Sequence, residues 1–212
     1  RRLAGKRAIG VDLVLPEGMP AENDPAAIDA QIPEGHKRFV RGLYEKYRVP
    51  APTRKGMRTR FLRSNEIALA QMEAVLASDV ELVCCGIGAP ADFVERAKRS
   101  GRKVLALSGA PKHAERAIRS GADIVVAQGH DSGAHTGPIG TFSLVPQVVD
   151  IAGHVPVLAA GGVVTGRHIA AALAMGAQGV WIGTAWLASP EYELHPIHVK
   201  KLVAAGSRDT VV

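Results

Sequence analysis

One unit recurs along this chain and constrains its fold more than anything else. A short, nearly uninterrupted apolar run ends on a glycine, and a helix-length segment follows that also ends on a glycine. Val104-Leu105-Ala106-Leu107 stops at Ser108-Gly109, and Ile124-Val125-Val126-Ala127 at Gln128-Gly129. Pro156-Val157-Leu158-Ala159 stops at Ala160-Gly161-Gly162, and Gly179-Val180-Trp181-Ile182 at Gly183-Thr184. Strands apolar on both faces belong in a parallel sheet covered by the helices that alternate with them. Pro111 to Ser120 is predicted as one such helix, with proline in its first turn, Ala114, Ala117 and Ile118 as its apolar positions and Gly121 as its stop; Arg167 to Met175, stopped by Gly176, is another. Arg96-Ala97-Lys98-Arg99-Ser100-Gly101 and Arg116-Ala117-Ile118-Arg119-Ser120-Gly121 form a weak internal repeat, each the end of a basic helix ahead of a buried strand. Ala8 to Leu15 and Leu82 to Cys85 are earlier strands, the second preceded by a helix with Ala68, Met72, Val75 and Leu76 on one face. The expectation is an α/β protein with strands at 8–15, 82–85, 104–107, 124–127, 156–159 and 179–182. This pattern alone leaves open a doubly wound sheet and a closed barrel.

Residues 16–64 break the alternation, with prolines at positions 16, 20, 25, 33, 50 and 52. Pro33 to Tyr47 is predicted as an amphipathic helix. Arg54, Lys55, Arg58, Arg60 and Arg63 follow with no acid among them, either as a solvated loop or as an arm that meets an anionic substrate. We read 17–64 as an insertion in a single domain covering 1–212. Apolar residues at 47% and charged residues at 22% are those of a folded globular chain, not a disordered one. No apolar run reaches the ~18 residues of a membrane span. The net charge of +6 fits attraction of phosphate and anionic substrates, and requires neither nucleic acid nor membrane as partner. Cys84 and Cys85 are adjacent, which rules out a disulfide framework and points to a reducing cytoplasm; on a strand one thiol would face each side as a small buried hydrophobe.

Gly161-Gly162 and Gly183-Thr184 end successive strands in a way that leaves backbone N–H groups free, and glycine lets the chain approach an anion closely. The separation of the two pairs is one helix plus one strand, which suits the phosphate loops after strands 7 and 8 of an eight-stranded α/β barrel. Counting back makes 8–15 strand 3. Strands 1 and 2 would then lie in an N-terminal segment missing from this sequence, on the order of 40–70 residues. The densest polar cluster is Gln128-Gly129-His130-Asp131-Ser132-Gly133-Ala134-His135-Thr136-Gly137. A histidine in such a loop suits general acid–base work near neutral pH. No metal site is expected, since the cluster lacks the tight ligand set of zinc. The pair His195 and His198 has no acidic or cysteine partner nearby in sequence, and His36, His113, His154 and His168 are read as surface or capping residues. Trp181 and Trp186 flank the last strand and are read as core.

The run Ala127-Gln128-Gly129, Gly133-Ala134-His135-Thr136-Gly137, Leu144-Val145-Pro146-Gln147-Val148-Val149-Asp150, Pro156 to Gly162, Gly166-Arg167, Ala170 to Ala177 and Gly183-Thr184 resembles the nitronate monooxygenase family, once called 2-nitropropane dioxygenases, and the related flavin reductases. Order and spacing match over 101–189 and more loosely from residue 5, while 20–64 match nothing in the family. The resemblance implies a (β/α)8 TIM barrel with FMN at its C-terminal mouth. It places Gln128 and Gly133 along the flavin, Gly161, Gly162 and the run Trp181, Ile182, Gly183, Thr184 at the phosphate end, and His135 as the catalytic histidine. Two departures stand out. Ala134 replaces a glycine, and Asp12 takes a strand-3 position where the family has an asparagine against the flavin; an ionised carboxylate has no proton to donate.

The leading expectation is an FMN-dependent monooxygenase that oxidises alkyl nitronates with O2 to carbonyl compounds and nitrite. The alternative is an FMN-dependent NAD(P)H reductase of an enoyl thioester or a quinone, and the basic run favours such a bulky anionic acceptor. A phosphate-binding barrel with a loop cysteine nucleophile is set aside, since no cysteine lies between residues 128 and 140. The resemblance is compatible with a homo-oligomer and names no protein partner.

Overall fold

Six strands pair in parallel, each with its successor in the chain: β1 (Gly10–Val14), β2 (Leu82–Ile87), β3 (Lys103–Ser108), β4 (Ile124–Gln128), β5 (Val157–Ala160) and β6 (Gly179–Trp181). This is a computed structural model, and it describes residues 8–15, 18–21, 24–51, 53, 64–87 and 90–209. Helices α4 (Ala91–Arg99), α5 (Pro111–Arg119), α6 (Thr141–Ala152) and α7 (Gly166–Ala174) connect the later strands, and α8 (Pro196–Ala204) follows a short 3-10 turn at Thr184–Ala188. A doubly wound sheet reverses its strand order at a switch point. The unbroken sequential order here has none, so the winding is single.

Local chemistry accounts for the helix ends. Gly101, Gly121 and Gly176 have φ of +79°, +94° and +93°. In each case the glycine N–H and the N–H after it reach back to the helix: Gly121 to Ile118 O and Ala122 to Ala117 O, with Gly101–Arg102 and Gly176–Ala177 doing the same. This paired closure needs a left-handed residue, which is why each helix in the sequence repeat stops on glycine.

The two sheet faces differ. Val125, Ala127, Val157 and Ala159 pack with Ala114 of α5, Leu144, Val145 and Val148 of α6 and Ala172 of α7. On the other face Cys84, Leu105, Val126 and Ala160 cluster with Leu82, Leu107, Ile124, Leu158 and Trp181, all of them strand residues. Val126 is 0% exposed and Ala160 2%. Among the described residues this second cluster is built by strand side chains alone. Cys84 joins this inner cluster, whereas Cys85 is in register with Leu13 and Ala106 and so turns to the other side. Both thiols are buried, as the strand reading required.

The opposite, N-terminal ends of the strands carry a repeated clamp. Glu81 accepts from the Ile9 N–H at 2.9 Å, Asp123 from the Val104 N–H at 2.9 Å and Gln178 from the Val157 N–H at 2.7 Å. Each of these side chains stands one residue before a strand and ties down the start of the preceding one.

The chain divides into two compact units, one up to Val14 and from Asp79 onward, the other Leu15–Ser78. The second unit contains α1 (Pro25–Gln31), α2 (Glu34–Lys46) and α3 (Asn65–Ala77). The helix expected at 33–47 is α2. Ser64 caps α3 by accepting from the Ile67 N–H, and Ala68, Met72 and Val75 are its buried face. The basic run Arg54 to Arg63 lies outside the described residues, as do residues 5–7 and 16 of the stretch compared with the family's third strand.

Candidate functional site

The C-terminal ends of β4, β5 and β6 carry most of the residues singled out in the sequence. Parallel registration aligns Gln128 with Ala160 and Ala160 with Trp181. Asp12 is in register with Cys84, on the same inner face. The sheet therefore presents Asp12, Gln128 and Trp181 on one side. Gln128 is 9% exposed, and its side-chain Nε2 donates to the His135 carbonyl at 2.9 Å. A buried amide with a satisfied donor is a fixed strut. It ties the end of β4 to the middle of the glycine-rich loop that carries the exposed His135.

The glycines of these loops are set by close approach. A Cβ on Gly129 would lie 2.2 Å from the Thr141 backbone nitrogen. One on Gly133 would lie 2.7 Å from Thr184 Oγ1, so the loop after β4 lies against the turn after β6. Gly161 and Gly162 have φ of +97° and +70°, a conformation that glycine adopts without strain. Between them these contacts bring together Gln128, Gly133, Trp181, Thr184, Gly161 and Gly162. Ile182 and Gly183 lie just past β6, with Ile182 half-buried.

Asp131 and Thr141, which carry no role in the sequence reading, hold this end together. The Thr141 N–H donates to Asp131 Oδ2 at 2.8 Å. That bond holds the Asp131 carboxyl below the ordinary carboxylate range, against a smaller opposing effect of burial. The Thr141 hydroxyl, with one proton to give, stands within hydrogen-bond reach of both Gly161 O at 2.9 Å and Ala160 O at 3.2 Å. Neither residue was legible beforehand, because their partners stand 10 and 20 residues away in the chain.

Asp12 behaves unlike a surface carboxylate. Burial raises its pKa, opposed by a hydrogen bond from the Cys84 thiol and another from the Gly86 N–H. Burial, with Asp12 close by, pushes the Cys85 thiol up to about 11 and Cys84 further still. Neither cysteine is a nucleophile at neutral pH.

Two expectations about isolated residues resolve differently. Trp181 is half-buried against the inner cluster, but Trp186 is 65% exposed, so the core reading of Trp186 is wrong: its 3-10 turn has no buried residue. His168 is a cap, its Nδ1 accepting from the Val164 and Thr165 N–H groups. His195 caps α8 by accepting from the Ile197 N–H and packs edge-on against His198 at 6.0 Å. No group of three metal-ligating side chains occurs among the described residues. No helix among them is long and apolar enough to cross a membrane.

Comparison with known proteins fits this arrangement. The chain is 42% identical to the Mycobacterium tuberculosis protein Rv1533, a monooxygenase by assigned name, over 98% of its own length and 57% of that protein's. It is 37% identical to a methyl-oxo-octahydroindene-carboxyl-CoA dehydrogenase of Rhodococcus jostii, over 67% of the chain and 40% of the relative. The solved structure of nitroalkane oxidase from Streptomyces ansochromogenes superposes with a TM-score of 0.72 at 30% identity, covering 94% of this chain and 56% of that one. The chain thus spans about half the length of the relatives it matches. The family model for nitronate monooxygenase matches residues 27–212, so the likeness extends over 27–64, where no family motif was expected. This chain belongs to the nitronate monooxygenase family.

Proposed function

We propose that the protein is an FMN-dependent oxidoreductase that oxidises alkyl nitronates with O2 to carbonyl compounds and nitrite. In this reading the six strands are strands 3–8 of a (β/α)8 barrel, with 17–64 as an insertion in one domain. Their sequential parallel order and an inner cluster made of strand residues support it. The observation that carries the proposal is the interlocking of the loops after β4, β5 and β6 around one strand-end surface. His135 stands on the first loop, and two glycines of positive φ stand on the second. Neither the Gly161 nor the Gly162 N–H has a protein acceptor among the described residues, so both are available to an anion.

The residues fit FMN. Gly161 and Gly162, with Gly183 and Thr184, would hold its phosphate. Gln128, Gly133 and Asp12 would line its ring, with Trp181 and Ile182 beside the phosphate end. FMN supplies the redox chemistry when bound. The chain's part is to orient substrate and manage a proton. His135 Nε2 takes the proton beside the nitro group of a neutral nitroalkane, or as imidazolium donates to a nitronate oxygen. The inner apolar cluster keeps water from the reacting face.

A second reading is favoured by the 37% identity to a CoA-ester dehydrogenase: an FMN-dependent NAD(P)H reductase of a thioester or quinone, with His135 as proton donor. Anaerobic stopped-flow absorbance of the full-length, FMN-loaded protein separates the two. Nitronate reading: propionate-3-nitronate bleaches the visible flavin band, and NADH and NADPH leave it unchanged. Rapid bleaching by a pyridine nucleotide moves the assignment to the reductase. A purified protein that takes up no FMN defeats both.

A further inference from the structure

We propose that Thr141 is a positioning residue for the anion-binding backbone at Gly161–Gly162, with Asp131 as its anchor. The proposal rests on the phosphate-loop reading above but makes a separate claim about how that loop is held.

The single proton of the Thr141 hydroxyl is shared: Oγ1 lies 2.9 Å from Gly161 O and 3.2 Å from Ala160 O, two successive carbonyls, and the Asp131 carboxylate is a third acceptor beside it. A trans peptide is planar, with its C=O and N–H pointing in opposite directions. Turning these two carbonyls toward Thr141 therefore turns the Gly161 and Gly162 N–H groups away from it. Neither of these N–H groups has a protein acceptor among the described residues. One hydroxyl thus orients two adjacent donors. The loop has little freedom to do otherwise: a Cβ on Gly161 would come within 2.6 Å of Thr141 Oγ1, and one on Gly162 within 3.1 Å of Asp131 Cβ.

Asp131 fixes Thr141 from the other side, through its Oδ2 at 2.8 Å from the Thr141 nitrogen. The Gly129 N–H adds a third tie, to Ala160 O at 3.0 Å. The loop that carries His135 and the loop that carries the free amides are thus joined through Thr141. A phosphate monoester settled on Gly161–Gly162 would stiffen the His135 loop, and a loosened Thr141 would weaken the phosphate end of the ligand without touching it.

The test uses Thr141→Ala, which removes the hydroxyl, and Thr141→Ser, which keeps it, in full-length protein. Affinity is measured for FMN and for riboflavin, which shares the ring but lacks the phosphate. Thr141→Ala is expected to weaken FMN about tenfold, the scale of one lost hydrogen bond of ~1.4 kcal/mol. It should leave riboflavin within about twofold and Thr141→Ser near wild type. Equal loss for both flavins, unchanged FMN affinity in Thr141→Ala, or failure of serine to restore it would overturn the proposal. Hydrogen exchange in ligand-free protein reads the latch independently. Segments 129–141 and 157–164 should both exchange faster in Thr141→Ala and as wild type in Thr141→Ser. Unchanged exchange overturns the latch even if FMN proves not to be the ligand. A wild type that binds riboflavin as tightly as FMN defeats the phosphate reading instead.

Discussion

Asp12 shows how one substitution is reconciled by its surroundings. The family resemblance implies an asparagine at this strand position, a side chain with N–H groups to donate. A carboxylate cannot donate, but a protonated carboxylic acid can. Burial favours the protonated form here, and the Cys84 thiol and Gly86 N–H only partly oppose it. Because the folded pKa lies above the unfolded one, the folded state binds more protons in the window between them. Stability therefore falls as pH rises through that window. Asp12→Asn removes this titration. Its urea midpoint should gain on wild type as pH is raised upward from the ordinary carboxylate range. A difference that stays constant with pH would mean that Asp12 does not titrate above its unfolded value. Asp131, nearby in function but opposite in sign, is held charged by the Thr141 N–H and keeps its bond until the solution becomes acidic.

Elements are secured at the N-terminal end of the sheet by Glu81, Asp123 and Gln178, each accepting from an N–H within one residue of the start of the preceding strand. A strand's first N–H has no ladder partner by default, so a side-chain oxygen one residue before the next strand satisfies it. Asp123 also meets Lys98 at 3.2 Å and Lys103 at 3.3 Å. Burial alone would raise its pKa, but the Val104 N–H and the two ammonium groups outweigh burial and hold it below the ordinary range. A depressed folded pKa confers stability above the unfolded pKa that is lost as pH falls through the folded one. Asp123→Ala is therefore expected to cost about 1–3 kcal/mol near neutrality, since the N–H of Val104 would be left unpaired. The deficit should shrink in acid. Chemical denaturation at neutral and acidic pH checks both, and a deficit independent of pH would assign it to packing alone.

For the whole molecule, the sequential parallel order gives a sheet whose candidate-site loops all emerge at one end. Ligand binding there should stabilise the fold by mass action. FMN at a hundredfold its dissociation constant adds about 2.7 kcal/mol, visible as a raised Tm; riboflavin at the same concentration should add less if the phosphate end contributes. Equal shifts would place the affinity in the ring alone. All six strands were legible in the sequence to within about two residues, because apolar runs between glycine stops are a local signal. The glycine-capped helices were legible for the same reason, each cap being made within one helix turn. The residue types of the site were visible too: His135, Gln128 and the paired glycines stood out as polar or flexible positions just past apolar runs. What each of them does was not. Gln128 spends an amide N–H on the His135 backbone, Gly129 is glycine because Thr141 crowds it, and Thr141 holds carbonyls 19 and 20 residues downstream. Trp186, an expected core residue, is exposed. Strand, helix and turn boundaries can be read from the residues alone, since periodicity, caps and glycine stops act over a few residues. Which loops touch and which donors stay free cannot, because strand register sets those contacts across long separations in the chain.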